Sequence, residues 1–261
     1  MEESAESCSP DVTGNSLGER LRRLLKDDPH IVWSGVIVVG LVAYLSGLPN
    51  YIRAGLMRGL QIQPYLTSLL LVFGLVSISL LWSVGQRLDT YVFLYLNLRG
   101  PRPLLLDRVM FGATQMGNGL FAMALGLIIF AAGDRRLAYE LVLGTLSLWL
   151  VVELIKATVC RSRPFVALIQ TRVVGYHEPG RSFPSGHTSQ AFFLVALLTR
   201  HSYANVGWAI LLLYFAAISV GITRIYVGAH YPRDVLAGAI LGSIWGALGA
   251  IVDAHFWPPA A

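Results

Sequence analysis

Seven stretches of the chain contain no Asp, Glu, Lys or Arg: Ile31–Ile52, Gly59–Gln86, Val109–Gly133, Leu141–Val152, Ser182–Thr199, His201–Thr223 and Val235–Val252. A helix needs about 20 mostly apolar residues to cross the hydrocarbon core of a bilayer. A chain cut up in this way has few folds open to it, because a backbone in lipid must satisfy its own hydrogen bonds. The spacing predicts an all-α, polytopic transmembrane helix bundle with spans near 31–48, 65–86, 113–132, 137–157, 186–200, 206–224 and 234–253. Only 13% of the residues are charged and the mean hydropathy is +0.60, against about 25% charged in soluble domains. This excludes a disordered chain, a nucleic-acid-binding tail protein and an ordinary soluble enzyme; no nucleic-acid partner is expected, and the partners are membrane lipids.

Charge is unevenly placed. Residues 1–30 carry seven acids and four bases, a polar tail with an amphipathic patch at Leu17–Leu25, and the remainder carries eight acids and sixteen bases. The first apolar run begins too far in for a typical secretory signal, so it is expected to be retained. Of the 20 bases, 18 are Arg, and Lys156 is the one Lys after residue 30. An Arg surplus serves topology, and it also suits phosphate oxygens. It further points to a GC-rich genome and a bacterial plasma membrane. Cys8 and Cys160 are too few for a disulfide framework or a zinc site and read as free thiols.

Two connections are longer than a turn. Residues 87–112 mix aromatic and charged side chains and are broken by Gly100-Pro101-Arg102-Pro103, the pattern of an interfacial segment. Residues 158–185 hold four Arg, three Pro and two Gly; a connection of that length without periodicity is usually functional.

Three short stretches gather the unusual residues of the second half: Lys156 to Pro164 (K-A-T-V-C-R-S-R-P), Pro184-Ser185-Gly186-His187, and Thr223 to Asp234 (T-R-I-Y-V-G-A-H-Y-P-R-D). They lie at the exit of the fourth expected span, the start of the fifth, and the connection from the sixth to the seventh. An even number of crossings separates them, so all three reach one membrane face. Lys156, Arg163 and Arg224, with the Ser185 hydroxyl and the Gly186 amide, make a cradle for a dianion without a metal or other cofactor. His187, His230 and Asp234 supply nucleophile, proton donor and orienting carboxylate. Asp234, four residues after His230, reaches its ring if a helix starts near Pro232.

These motifs resemble those of the type 2 phosphatidic acid phosphatase (PAP2) superfamily, KxxxxxxRP, PSGH and SRxxxxxHxxxD, with Thr223 standing where the family usually has Ser. The resemblance covers about residues 65–253 and implies a six-helix core preceded here by one extra N-terminal span. It divides the chain into a tail (1–30), an extra membrane segment and connection (31–64), a catalytic membrane domain (65–253) and a short C-terminal tail (254–261). It implies metal-independent, two-step hydrolysis of a phosphate ester. In that reading His230 attacks phosphorus and becomes a phosphohistidine, and Asp234 orients His230. His187 protonates the leaving oxygen and then helps activate water. Lys156, Arg163, Arg224, Ser185 and Gly186 hold the phosphoryl oxygens. The implied substrate is a lipid phosphate or diphosphate: phosphatidate, phosphatidylglycerophosphate or a polyprenyl diphosphate.

Other residues read more plainly. His30, His201 and His255 are expected to be structural, His177 and Glu178 to be solvated loop, and Arg53, Arg58, Arg87, Arg135, Arg136 and Arg200 to anchor span ends. Arg161, Arg172 and Arg181 divide evenly between loop solvation and headgroup contact. Glu153 is expected to pair with Lys156 three residues on, and Asp89 and Asp253 to sit at span ends. Gly238, Gly242, Gly246 and Ala250 form a small-residue stripe that favours packing within the bundle over a dimer face, the one pointer to a homo-oligomer. Competing functions are a lipid phosphotransferase using the same site, a vanadate-dependent haloperoxidase, disfavoured because such proteins are soluble, and a non-enzymatic membrane scaffold, which has no need of two His at these spacings. Seven spans with the tail inside put the site on the cytoplasmic face; if 31–48 does not cross, the face reverses.

Overall fold

The computed structural model describes residues 63–256, except 101–102, 176–179 and 202–206, together with positions 39, 43, 46, 47, 49, 50 and 54. The N-terminal tail, most of the span expected at 31–48, and His177 and Glu178 lie outside the described residues. Within them the secondary structure is helical: α1 (Pro64–Ser79), α2 (Ser83–Leu98), α3 (Leu104–Thr114), a 3₁₀ turn (Gln115–Gly117), α4 (Gly119–Ala131), α5 (Arg135–Thr158), the single turn α6 (Pro164–Ala167), α7 (Gly186–His201), α8 (Gly207–Tyr226) and α9 (Pro232–Phe256).

Helices α5, α8 and α9 are each long and apolar enough to cross a membrane, and the bent pairs α1–α2 and α3–α4 raise the number to five if each is one span. Their outer faces are apolar. Leu143, Leu146, Trp149 and Leu150 of α5, and Leu211, Leu212, Phe215 and Ile218 of α8, are exposed, far more contiguous apolar surface than a water-soluble monomer presents. The core joins α4, α5, α7 and α9 through Ala122, Leu141, Leu148, Val152, Phe193, Leu194, Leu197 and Leu241.

Two expected spans come out differently. In place of one helix over 65–86, α1 stops at Ser79 and α2 leaves at 95°. Around the bend, Leu80, Leu81 and Trp82 donate to the carbonyls of Ser77, Ile78 and Ser79 in i→i+3 fashion. Two side chains add donors at the helix end: Gln86 Nε2 donates to Leu80 O at 2.7 Å, and Arg233 Nη1 gives Ser79 O a second donor at 2.7 Å. Helix ends need such partners, and hydropathy does not reveal the one 154 residues away. In place of a helix from 113, the chain bends by 61° and α4 starts at Gly119; the Asn118 side chain caps it by accepting from Leu120 N at 3.0 Å.

The small-residue stripe packs inside the bundle. A Cβ at Gly238 would lie 2.6 Å from the Ser185 carbonyl oxygen, one at Gly242 would overlap the Ser189 carbonyl oxygen, and one at Gly246 would overlap the Ala196 side chain. The backbones of α7 and α9 therefore meet directly, as small residues allow. At the end of the bundle away from the three motifs, Arg136 pairs with Asp253 at 2.6 Å, Arg200 with Glu140, and His201 Nε2 lies 3.0 Å from Glu140. Arg136 and Arg200 thus serve as cross-helix ion pairs rather than lipid anchors. Gly242→Val is expected to destabilise the protein by about 1–3 kcal/mol or more, because a rigid carbonyl cannot yield to an added side chain; a lowered unfolding midpoint in detergent checks this.

Candidate active site

Four helix ends meet at one end of the bundle: the C-termini of α5 and α8 and the N-termini of α7 and α9. The first motif leaves α5 and runs beside residues 180–182. Ser162 and Arg181 form an antiparallel bridge, Ser182 N donates to Arg161 O at 2.7 Å, and Arg181 Nη1 donates to Lys156 O at 2.7 Å. Arg181 is thus a brace for the end of α5. Lys156 and Glu153 pair at 2.8 Å, as their spacing predicts.

The second motif opens α7. The Ser185 hydroxyl accepts from Thr188 N at 3.4 Å and lies 2.9 Å from Thr188 Oγ1, in the manner of an N-cap. Ser185 N donates to Asp234 O at 3.0 Å, which ties the start of α7 to the start of α9. Two helix N-termini, each carrying partial positive charge, therefore face the same place. A Cβ on Gly186 would meet only Val152, at 3.6 Å, so protein packing does not demand a glycine there.

The third motif closes α8 and starts α9. Ala229 N and His230 N both donate to Arg224 O, at 3.0 and 3.2 Å. Gly228 takes φ +90°, and a Cβ on it would stand 2.7 Å from the Arg172 carbonyl oxygen. Only glycine fits this turn. Helix α9 begins at Pro232, and Asp234 Oδ2 reaches back to accept from Tyr231 N at 2.9 Å, half of a capping box.

His230 is buried, with Nδ1 2.7 Å from the Ser182 carbonyl oxygen and 3.8 Å from Asp234 Oδ2. The direct His230–Asp234 hydrogen bond expected from the spacing is thus replaced by an indirect link. Nδ1–H donates to Ser182 O, while Ser182 Oγ donates to Asp234 Oδ2 at 2.5 Å. With Nδ1 protonated and occupied, Nε2 is left as the basic nitrogen. Burial pushes the His230 imidazole down to about 3, with the Asp234 carboxylate partly opposing, and Arg163 and Arg224 push it the same way as burial. The ring is therefore neutral at ordinary pH.

The predicted cations converge. Arg163 and Arg224 act electrostatically on His230, and His187 senses Arg224, His230, Arg163 and Lys156. Arg224 is buried, Nη1 donates to Thr114 Oγ1 at 2.9 Å, and buried Nε has no protein acceptor among the described residues, a donor that an anion's oxygen would satisfy. Thr223, in contrast, spends its hydroxyl on Val220 O at 2.6 Å.

Four residues that the sequence reading left outside the site lie in it: Ser182 and Thr114, which it did not single out, and Arg161 and Asp89, which it gave to a loop or headgroup contact and to a span end. Arg161 is buried rather than at a loop surface, with Nη1 2.5 Å from Asp234 Oδ1 and Nη2 paired with Asp89. Asp89 is buried within α2 rather than at a span end, where it also accepts from Arg233 N at 3.1 Å. A buried charge needs a partner; that rule was available from the sequence for Asp89 and Arg161, although the identity of each partner was not. Arg172, also assigned to solvent or headgroup, instead pairs with Asp107 at 2.5 Å.

Fold and site together define a helical membrane protein with arginines gathered about a buried histidine at one end of its bundle. The profile of the PAP2 superfamily matches residues 137–256. The bacitracin transport permease protein BcrC of Bacillus licheniformis is 30% identical over 161 residues, covering 60% of this chain and 76% of the relative. The undecaprenyl-diphosphatase BcrC of Bacillus subtilis is 31% identical over 149 residues, 55% of this chain and 73% of the relative. The crystal structure of the transmembrane PAP2 type phosphatidylglycerolphosphate phosphatase from Bacillus subtilis superposes with a TM-score of 0.63 at 26% identity, over 75% of this chain and 98% of that one. The chain belongs to the PAP2 superfamily, and it is a phosphoric ester or diphosphate hydrolase. Ser182→Ala keeps the carbonyl that holds Nδ1 but removes the hydroxyl on Asp234; kcat is expected to fall about tenfold with KM little changed, read from phosphate release under saturating substrate.

Proposed function

We propose that the protein removes phosphate from a membrane lipid phosphate or diphosphate through a phosphohistidine at His230, without a metal ion, in a bacterial plasma membrane. The observation that carries this reading is the hold on His230: Nδ1 is committed to the Ser182 carbonyl at 2.7 Å, and the ring sits within the field of Arg163 and Arg224. A neutral imidazole with Nε2 basic is the form that attacks phosphorus. Lys156, Arg163 and Arg224, with the Ser185 hydroxyl and the Gly186 amide, bind the three equatorial oxygens, where charge builds up on the way to transfer. His187, in the first turn of α7, gives a proton to the leaving lipid oxygen and then takes one from water. Asp234 stabilises the imidazolium character that develops on His230, through Ser182 and across 3.8 Å.

A site at the mouth of an apolar bundle suits a substrate whose tail stays in the bilayer while its headgroup reaches the helix ends. Helices α1, α4, α5, α7, α8 and α9 supply six membrane segments of residues 65–253, and residues 31–48 add a seventh in this reading. Polyprenyl diphosphate and phosphatidylglycerophosphate are the first substrates to try, since relatives named for each resemble this chain.

His230→Ala is expected to abolish phosphate release from every lipid in a panel of polyprenyl diphosphate, phosphatidylglycerophosphate and phosphatidate, a loss of about 10⁴-fold or more. Wild-type activity is expected to survive EDTA, and acid-labile, alkali-stable label is expected on wild-type protein but not on the variant. Full activity in the variant overturns the mechanism.

A further inference from the structure

Beneath His230 runs a buried chain of alternating charge. Asp234 Oδ1 accepts from Arg161 Nη1 at 2.5 Å; Arg161 Nη2 pairs with Asp89 Oδ2 and donates to Gln86 Oε1 at 2.9 Å; Asp89 Oδ2 in turn lies 3.2 Å from Arg233 Nε. The Arg161 guanidinium also lies 4.2 Å from the centre of the Tyr231 ring. It is thus fixed by two carboxylates, an amide and an aromatic face, drawn from α2, the turn before α9, and α9 itself. Its main chain serves the same place, because Arg161 O accepts from Ser182 N at 2.7 Å, and Ser182 O holds His230 Nδ1.

We propose that Arg161 and Asp89 are positioning residues for phosphoryl transfer: Arg161 clamps Asp234 in the rotamer that supports His230 through Ser182, and Asp89 holds Arg161 in place. This rests on His230 being the nucleophile. Asp234 has one oxygen turned to Arg161 and the other shared by Ser182 Oγ and Tyr231 N. Without the clamp, the first oxygen is left buried without a donor, and the carboxylate is free to rotate away from Ser182. Neither residue belongs to the cradle, so substrate binding does not depend on them. A guanidinium suits this place because its fork meets two carboxylates at once, which an ammonium cannot do.

The test uses full-length protein in detergent and the lipid phosphate that wild type hydrolyses fastest, with four variants: Arg161→Met, Arg161→Lys, Asp89→Asn and His230→Ala. Arg161→Met is expected to lower kcat by about 100-fold or more, with KM and inhibition by inorganic phosphate changed by less than about threefold. Arg161→Lys is expected to recover about tenfold of that loss, since one point charge can still meet Asp234. Asp89→Asn is expected to lower kcat by about three- to tenfold at unchanged KM. A purely structural ion pair would move kcat, phosphate inhibition and unfolding temperature together, and that pattern overturns the proposal, as does wild-type kcat in either Arg161 variant. If Arg161→Met does not fold, Arg161→Lys and Asp89→Asn decide in the same way. Activity retained in His230→Ala strikes at the nucleophile itself; an inactive His230→Ala beside fully active Arg161 variants strikes at this proposal alone.

Discussion

The Arg161 guanidinium, held between Asp234 and Asp89, is the interaction on which the architecture of the site depends. Two carboxylates and a guanidinium taken from water into an apolar bundle carry a large desolvation cost. Here it is offset because Arg161, Arg233, Ser182 and backbone amides meet the carboxylate oxygens at hydrogen-bond distance, and Gln86 Oε1 accepts from the Arg161 guanidinium. The two acids and two arginines balance, so the chain is neutral as a unit. The acids of this chain are thus matched by its own arginines. The same bonds join α2, the loop after α5 and the start of α9, which together form the floor under His230.

Much of this was legible in the sequence. Stretches free of charge located α5, α7, α8 and α9 to within a few residues, because a lipid-facing helix tolerates little else. The even number of crossings between motifs brought their residues to one end of the bundle, and Pro232 marked the start of α9. Where the reading failed, the deciding partner lay far along the chain. The end of α1 is set by Arg233, the fate of Asp89 by Arg161 and the orientation of His230 by a carbonyl at Ser182. A backbone carbonyl leaves no side-chain signature, and a long-range ion pair has no period. The glycines of α9 show the intermediate case: their spacing announced a close contact, and the structure supplied α7 as the surface they meet.

The cap that Arg233 places on α1 reaches beyond the helix it ends. Arg233 sits next to Asp234 in the first turn of α9, and its guanidinium holds the last carbonyl of α1, whose flank is exposed and apolar. Helix α1 has 16 residues, a rise of about 24 Å, against a hydrocarbon core of about 30 Å. A helix shorter than its bilayer is accommodated by thinning of the lipid around it or by snorkelling of the residues at its ends. Because one side chain fastens α1 to the turn that carries His230, a change in how α1 sits in the bilayer would be passed to the start of α9, and membrane thickness would then bear on the geometry around that ring.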